Sequence, residues 1–204
     1  MLKPVSQPCL RNQDPIYQAL KSHTTASGNL LEIGCGTGQH AVYMAERLPN
    51  IHWQASDCKE ALVGANLWIA ESNSLPPAIE LDISVTNWQH LIKETLNDCE
   101  FSYVYSANVV HFVSDDLVKN LFKGLNNLLK KDAYLFLYGP FNNKGFTSEG
   151  NKGLDEWLKT DINPLAGIKE VSQITQLAEN SGFALIENTL LPANNHLLVF
   201  KKEK

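Results

Sequence analysis

The sequence contains no apolar run near the ~18 residues that a membrane-spanning helix requires, which excludes a helical span. Its first ten residues carry Pro4 and Pro8 and no sustained apolar stretch, so no cleaved leader is expected there. Cysteine is scarce and scattered: Cys9, Cys35, Cys58 and Cys99 form no CxxC pair and have no zinc-type spacing. No metal site and no disulfide framework are expected, and free thiols in a reducing cytoplasmic compartment are. Basic residues are also short, 17 Lys+Arg against 22 Asp+Glu for a net charge of −5, which argues against a surface that wraps nucleic acid. Lys130-Lys131 and the trailing Lys201, Lys202 and Lys204 read as solvated ends, because they form no stripe on one face. Internal repeats and low-complexity tracts are missing too. What remains is an ordinary globular composition, 44% hydrophobic, enough for one core and one domain over residues 1–204.

Strand-like and helix-like segments alternate, the pattern of an α/β fold with a doubly wound, mainly parallel sheet. Asp14-Pro15 resembles an N-cap and first helical position, opening a short N-terminal helix that precedes the first strand at residues 29–33. Strands follow at 51–56, 78–81, 101–106 and 133–138, the last ended by Gly139-Pro140. Helices are expected at 59–71 and 87–96, and Ala41, Met44, Ala45 and Leu48 mark another by their spacing. The clearest begins after Ser114, with Asp115 and Asp116 in its first turn and Leu117, Leu121, Leu125 and Leu128 as its stripe. Residues 141–170 break the rhythm, and a segment that long after a strand is usually functional or mobile. Strands at 183–189 and 196–200, joined only by residues 191–195, must be antiparallel. The order is that of a seven-stranded Rossmann-like sheet with an antiparallel last strand.

The chemistry centres on Glu32-Ile33-Gly34-Cys35-Gly36-Thr37-Gly38, where a strand gives way to a helix. Gly34, Gly36 and Gly38 let the backbone turn sharply and approach a ligand, with Cys35 small enough to fit between them. A dinucleotide loop wants G-x-G-x-x-G, and Gln39 stands where its third glycine belongs. Glu32 would repel a pyrophosphate but suits the cationic amino acid end of S-adenosylmethionine. Asp57 closes the second strand at the spacing of roughly 20 residues that places an acid on ribose hydroxyls, or it caps the next helix. Asp82 follows the third strand, where an acid can accept from an adenine amino group or simply hold a turn. A nicotinamide-dependent oxidoreductase is disfavoured by both the missing glycine and Glu32.

The chain resembles the methyltransferase-like 26 family, long regarded as a domain of unknown function. The resemblance spans nearly the whole sequence. It rests on Arg11-Asn12, on residues 31–43 and 53–57, and on Leu81-Asp82 and Asn108. It continues through Tyr138-Gly139-Pro140-Phe141, Phe146-Thr147-Ser148, residues 191–195 and Leu198-Val199-Phe200. The glycine motif is common to class I methyltransferases, whereas the YGPF, FTS and PANN segments are particular to this family. It implies a class I methyltransferase fold and S-adenosylmethionine binding, and it supplies no established substrate. Glu149-Gly150-Asn151 departs from the family, which tends to place a second serine near Gly150.

Ligands of open α/β sheets bind beyond the carboxyl ends of the strands. Those ends bring together Gly34, Asp57, Asp82, residues 108–111, Tyr138 to Phe141 and the turn with Asn194 and Asn195. Asn108 joins the cofactor-binding set, with Arg11, whose guanidinium matches a carboxylate, at the N-terminal lid of residues 1–28. Tyr138, Phe141, Asn194 and Asn195 are the substrate-side candidates; asparagine in a hairpin also serves merely to tolerate positive φ. His111 is the candidate base, a group titrating near neutrality beyond the fourth strand, or a packing histidine. Residues 141–170 complete a cap, with Phe141, Phe146 and Trp157 as pocket walls or core. Asn108-Val109-Val110-His111 is not the N-P-P-Y pattern of many nitrogen methyltransferases, which favours a small-molecule acceptor. A non-catalytic S-adenosylmethionine-binding scaffold or sensor is the alternative. Oligomeric state is not legible.

Overall fold

The computed structural model describes residues 2–204. Seven strands form one sheet: β1 (Gly28–Ile33), β2 (Ile51–Asp57), β3 (Ile79–Glu80), β4 (Tyr103–Ala107), β5 (Tyr134–Pro140), β6 (Phe183–Leu191) and β7 (Asn195–Lys202). Their order is β3-β2-β1-β4-β5-β7-β6, parallel except that β7 runs antiparallel to both neighbours. Chain direction across the sheet reverses between β1 and β4, and that switch point opens a crevice beyond their carboxyl ends.

Alternation along the central strands builds two cores. Leu31, Val104, Leu135 and Leu137 face one layer with Phe122 and Ile174, while Leu30, Tyr103, Tyr105 and Phe136 face the other with Met44 and Trp53. The first layer is α4 (Trp88–Thr95), α5 (Asp115–Leu128) and α7 (Val171–Asn180). The second is α1 (Gln7–Leu20), α2 (Gln39–Arg47) and α3 (Lys59–Ile69). Ser114 caps α5 by accepting from Leu117 N at 3.3 Å, as its sequence predicts. The buried stripe of α5 includes Val118 and Phe122, with Leu117 at its margin. Gly124 meets α4 there, because any side chain would collide with the Trp88 ring.

Four expectations are corrected. The first helix begins at Gln7 rather than at Pro15, eight residues earlier in the chain than Asp14-Pro15 suggests, and Pro15 lies inside it. Ser6 accepts from Cys9 N, and Pro8 occupies the first turn, so the same cap-and-proline signature occurs twice and the earlier one starts the helix. Strand β5 does not stop at Gly139-Pro140; pairing with β7 carries it to Pro140 opposite Asn195. Lys202 is not a solvated end but 2% exposed, its ammonium bonded to Asn126 Oδ1 and Ser181 O. Within residues 141–170, where the sequence suggests one short helix near residues 154–158, α6 spans Glu149–Trp157 and a π-turn follows at Leu158–Ile162. Ser148 caps it by accepting from Asn151 N at 3.0 Å. Among the described residues no helix is long and apolar enough to cross a membrane, and no cluster of three or more His, Cys, Asp or Glu could hold a metal.

Candidate functional site

The chain leaves β1 at Ile33 and bends through Gly34, Gly36 and Gly38, all at positive φ (78°, 56° and 81°), before α2 begins. Ser56 O, at the end of β2, accepts from both Gly34 N and Cys35 N at 3.0 Å, and Cys35 O accepts from Gly38 N at 2.9 Å. The three glycines have different neighbours. A Cβ on Gly34 would lie 2.3 Å from Val109 Cγ2 and one on Gly38 2.8 Å from Ala65 O, whereas Gly36 has nothing within 4 Å. Gly34 and Gly38 keep the bend tight against β4's loop and α3. Gly36 presents bare backbone to open space.

That space has two lobes. The smaller, of about 400 Å³, is an apolar slot with Leu81 and Ile83 on its walls and with Asp57 and Asp82 at its polar points. Asp57 accepts from Gly36 N and Cys58 N, each at 2.7 Å, and Asp82 from Ser84 N at 2.8 Å. Each carboxylate thus braces a turn and still lines the slot, so the capping and cavity roles coincide. Partial burial pushes the Asp57 carboxyl up, and the Gly36 and Cys58 amides oppose that shift. The larger lobe, of about 700 Å³, lies over the other side of the loop. Gly34, Gly36, Asn108 and Phe112 line both lobes, so the two meet across the bend.

Glu32 is on neither wall. It is 1% exposed beneath the loop, where its Oε2 accepts from Trp53 Nε1 at 2.8 Å. Burial raises its carboxyl to about 8, the indole lowers it, and the Asp57 charge adds to the rise. Cys35 lines the large lobe at 5% exposure, its thiol pushed far up by burial and by Glu32 and Asp57. Asn108 adopts φ 58°, its amide N donating to Tyr138 O at 2.8 Å.

His111 lines the large lobe at 4% exposure. Burial first, and then the nearby Lys169 ammonium, hold its imidazole down to about 4. It is therefore neutral at physiological pH rather than titrating there, which corrects the expectation from its ordinary value. Lys169 is itself 6% exposed and paired with Asp115 Oδ1 at 2.7 Å.

The roof comes from three separate segments. Helix α1 contributes Pro8, Cys9 and Asn12, α6 contributes Gly150 and Leu154 beside Ser148, and the β6–β7 turn contributes Asn194 and Asn195. Ala193 and Asn194 are both at positive φ, and the Asn195 amide nitrogen donates to Pro192 O at 3.1 Å, so each asparagine serves the turn while lining the lobe. Arg11 is exposed on α1 and lines neither lobe. Tyr138 and Phe141 are each 1% exposed and also lie off both walls. The Tyr138 hydroxyl bonds the Asn12 side chain, and the Phe141 ring meets His196 edge-on at 6.4 Å. Phe146 and Trp157 are exposed, and Trp157 stands perpendicular to Phe112 at 6.4 Å.

Two residues here were not singled out from the sequence. His40 joins Asn12 Oδ1 at 2.8 Å to the Tyr105 hydroxyl at 3.2 Å and is held near 4 by burial. Gln39 Oε1 accepts from Ser6 N at 2.6 Å and Thr37 Oγ1 at 2.9 Å, tying the start of α1 to the glycine loop. Their position in the first turn after Gly38 was the available signal.

A family model described as "Protein of unknown function (DUF938)" matches residues 3–202. Human N-acetylserotonin methyltransferase, solved in complex with SAM, superposes with a TM-score of 0.79 at 12% identity, covering 97% of this chain and 53% of that one. An O-methyltransferase family protein from Burkholderia thailandensis gives 0.78 at 11% identity, covering 96% and 57%. An O-methyltransferase family 2 protein from Planctomyces limnophilus DSM 3776, solved with apigenin, gives 0.72 at 12% identity, covering 93% and 61%. At such identities the likeness shows the fold, a Rossmann-like methyltransferase sheet. The chain spans between 53% and 61% of the length of these proteins.

Proposed function

The chain belongs to the DUF938 family, and from that premise we propose that it is an S-adenosylmethionine-dependent methyltransferase acting on a small molecule. The observation that carries the reading is the pair of adjoining lobes that share Gly34, Gly36, Asn108 and Phe112, with Asp57 and Asp82 in one and His111 in the other. The residues present fit the cofactor. The open face of Gly36 admits a ligand against bare backbone, the apolar slot suits a purine, and two carboxylates suit ribose hydroxyls and an exocyclic amine. Gly34, Cys35, Gly36, Gly38 and Asn108 complete the cofactor-binding set. Glu32 supports it from beneath the loop, and Arg11 leaves it because that residue is exposed on α1 and lines neither lobe. The solved neighbours that carry SAM or SAH in their crystals support the same assignment.

When bound, the cofactor supplies a methyl group already activated on a sulfonium. The protein's own contribution is then largely orientation, for which well-aligned reactants gain roughly 7–11 kcal/mol. Asn194 and Asn195 hold the acceptor against the lobe, and α1 and α6 exclude water above it. His111, kept neutral, stands ready to take a proton at a ring nitrogen. The likeness to methyltransferase-like 26 proteins and a cytosolic setting for the free thiols belong to this proposal.

One observation favours the alternative, a protein that binds the cofactor without transferring its methyl group. An imidazole held near 4 is a weak base. Incubation with methyl-labelled S-adenosylmethionine and a metabolite extract, alongside calorimetry, separates the two. The proposal expects binding together with label in product; binding with no label transfer establishes the alternative.

A further inference from the structure

The walls of the large lobe carry an unusual electrical property for a site of about 700 Å³: among the described residues, none that lines it is Asp, Glu, Lys or Arg. Its two titratable imidazoles, His40 and His111, are both neutral at physiological pH. The thiols of Cys9 and Cys35 are pushed up by burial and stay protonated. Charged groups nearby are turned away or already paired. Asp155 on α6 accepts from Ile168 N at 2.8 Å and pairs with Lys159, and Lys169 is paired with Asp115. Glu32 lies beneath the loop with its partner Trp53. Asp57 and Asp82 belong to the other lobe.

The polar side chains on these walls are asparagine amides and the hydroxyls of Ser6, Thr37 and Ser148, beside the thiols and imidazoles, and most are already engaged. The Asn151 amide nitrogen donates to Thr147 Oγ1 at 2.8 Å and Asn142 Oδ1 at 3.3 Å. The Asn195 amide nitrogen donates to Pro192 O at 3.1 Å and Ala193 O at 3.5 Å. No hydrogen bond within the described residues engages the Asn194 side chain, which keeps both its donor and its acceptor for a ligand. Phe112, Leu154 and Pro140 supply the apolar remainder.

Burying a charge without a partner costs far more than burying a neutral polar group that finds one. Resting on the methyl-transfer reading above, we infer that the acceptor is an uncharged molecule, apolar in body, recognised through a hydroxyl, carbonyl or amide by the Asn194 side chain. The walls offer no counter-charge to a phosphorylated, carboxylated or ammonium-bearing acceptor. In the transfer the acceptor's heteroatom forms a bond to the methyl carbon as the carbon–sulfur bond breaks. The bonding pair stays on sulfur, and the heteroatom's proton passes to His111 or to water.

The test sorts a low-molecular-mass metabolite extract by ion exchange at pH 7 into neutral, anionic and cationic fractions before any reaction, since esterification would erase an acid's charge afterwards. Each fraction is then incubated with the protein and methyl-labelled S-adenosylmethionine. Label should enter the neutral fraction at least roughly tenfold more than either charged one, the least that one unpaired buried charge commands. Preferential labelling of a charged fraction overturns the inference and leaves the transferase reading standing. No label in any fraction, with calorimetric cofactor binding intact, overturns the transferase reading instead.

Discussion

At the scale of single residues, the bend stands or falls on Gly36, the one loop glycine whose missing side chain faces open space. Gly36→Val should abolish calorimetric S-adenosylmethionine binding; a β-branched side chain at φ 56° also strains the bend, so the melting temperature should fall while circular dichroism still reports a folded chain. Unchanged affinity would remove the loop from the site. Glu32 and the two lobe histidines make a second, independent statement through pH. The Glu32 carboxyl rises from 4.5 to about 8 on folding, so it stabilises the fold fully below 4.5 and loses that contribution as pH climbs through 8. His40 and His111 drop from 6.5 to about 4, so their contribution is complete above 6.5 and lost as pH falls towards 4. Between 4.5 and 6.5 two histidines outweigh one glutamate, and above 6.5 Glu32 dominates. Stability by urea unfolding should therefore peak near pH 6.5 and decline by about 2 kcal/mol towards pH 8. Glu32→Gln, which keeps an acceptor for the Trp53 indole, should flatten that decline. An unaltered decline would place its origin elsewhere.

At the scale of elements, α4 and α5 pack so closely that Gly124 has no room for a methyl group: its Cβ would lie 2.3–2.4 Å from three atoms of the Trp88 ring. Alanine in a helix interior is intrinsically better than glycine by about 1 kcal/mol, but overpacking against a buried indole costs about 1–3 kcal/mol. Gly124→Ala should therefore lower unfolding stability by up to about 2 kcal/mol in urea, without affecting cofactor binding; stabilisation would mean the ring can move aside. The same contest between local and tertiary preference decided which elements were legible in the sequence. Helix α5 was, because Ser114, its acidic first turn and its leucine repeat all agree. The start of α1 was misplaced because Asp14-Pro15 repeats the cap-and-proline signature that Ser6 and Pro8 supply earlier, while Ile16 and Leu20, buried against α2 and the sheet, hold Pro15 inside the helix. Strand β5 was cut short because nothing local announces that β7 will pair with Gly139 and Pro140.

At the scale of the whole molecule, the parallel sheet with its antiparallel β7 followed from the alternation of segments and the short residues 191–195 connection. The strand order is what carries glycine loop, acids and His111 to one edge. The spacing of Gly34, Asp57 and Asp82 brought them to the smaller lobe because loops after successive parallel strands must share that edge. Burial could not be read the same way. Tyr138 and Phe141 look like rim residues by position, yet Tyr138 pairs with β7, Phe141 packs into the core just beyond β5, and Glu32 sinks beneath its own loop. The most direct test of the account is a crystal structure of the protein with bound S-adenosylhomocysteine. The account predicts density crossing Gly36, with the ribose hydroxyls on Asp57, the adenine amine on Asp82 and the thioether sulfur open towards His111. Density lodged elsewhere, or a nucleoside lying outside the Leu81–Ile83 slot, would contradict it.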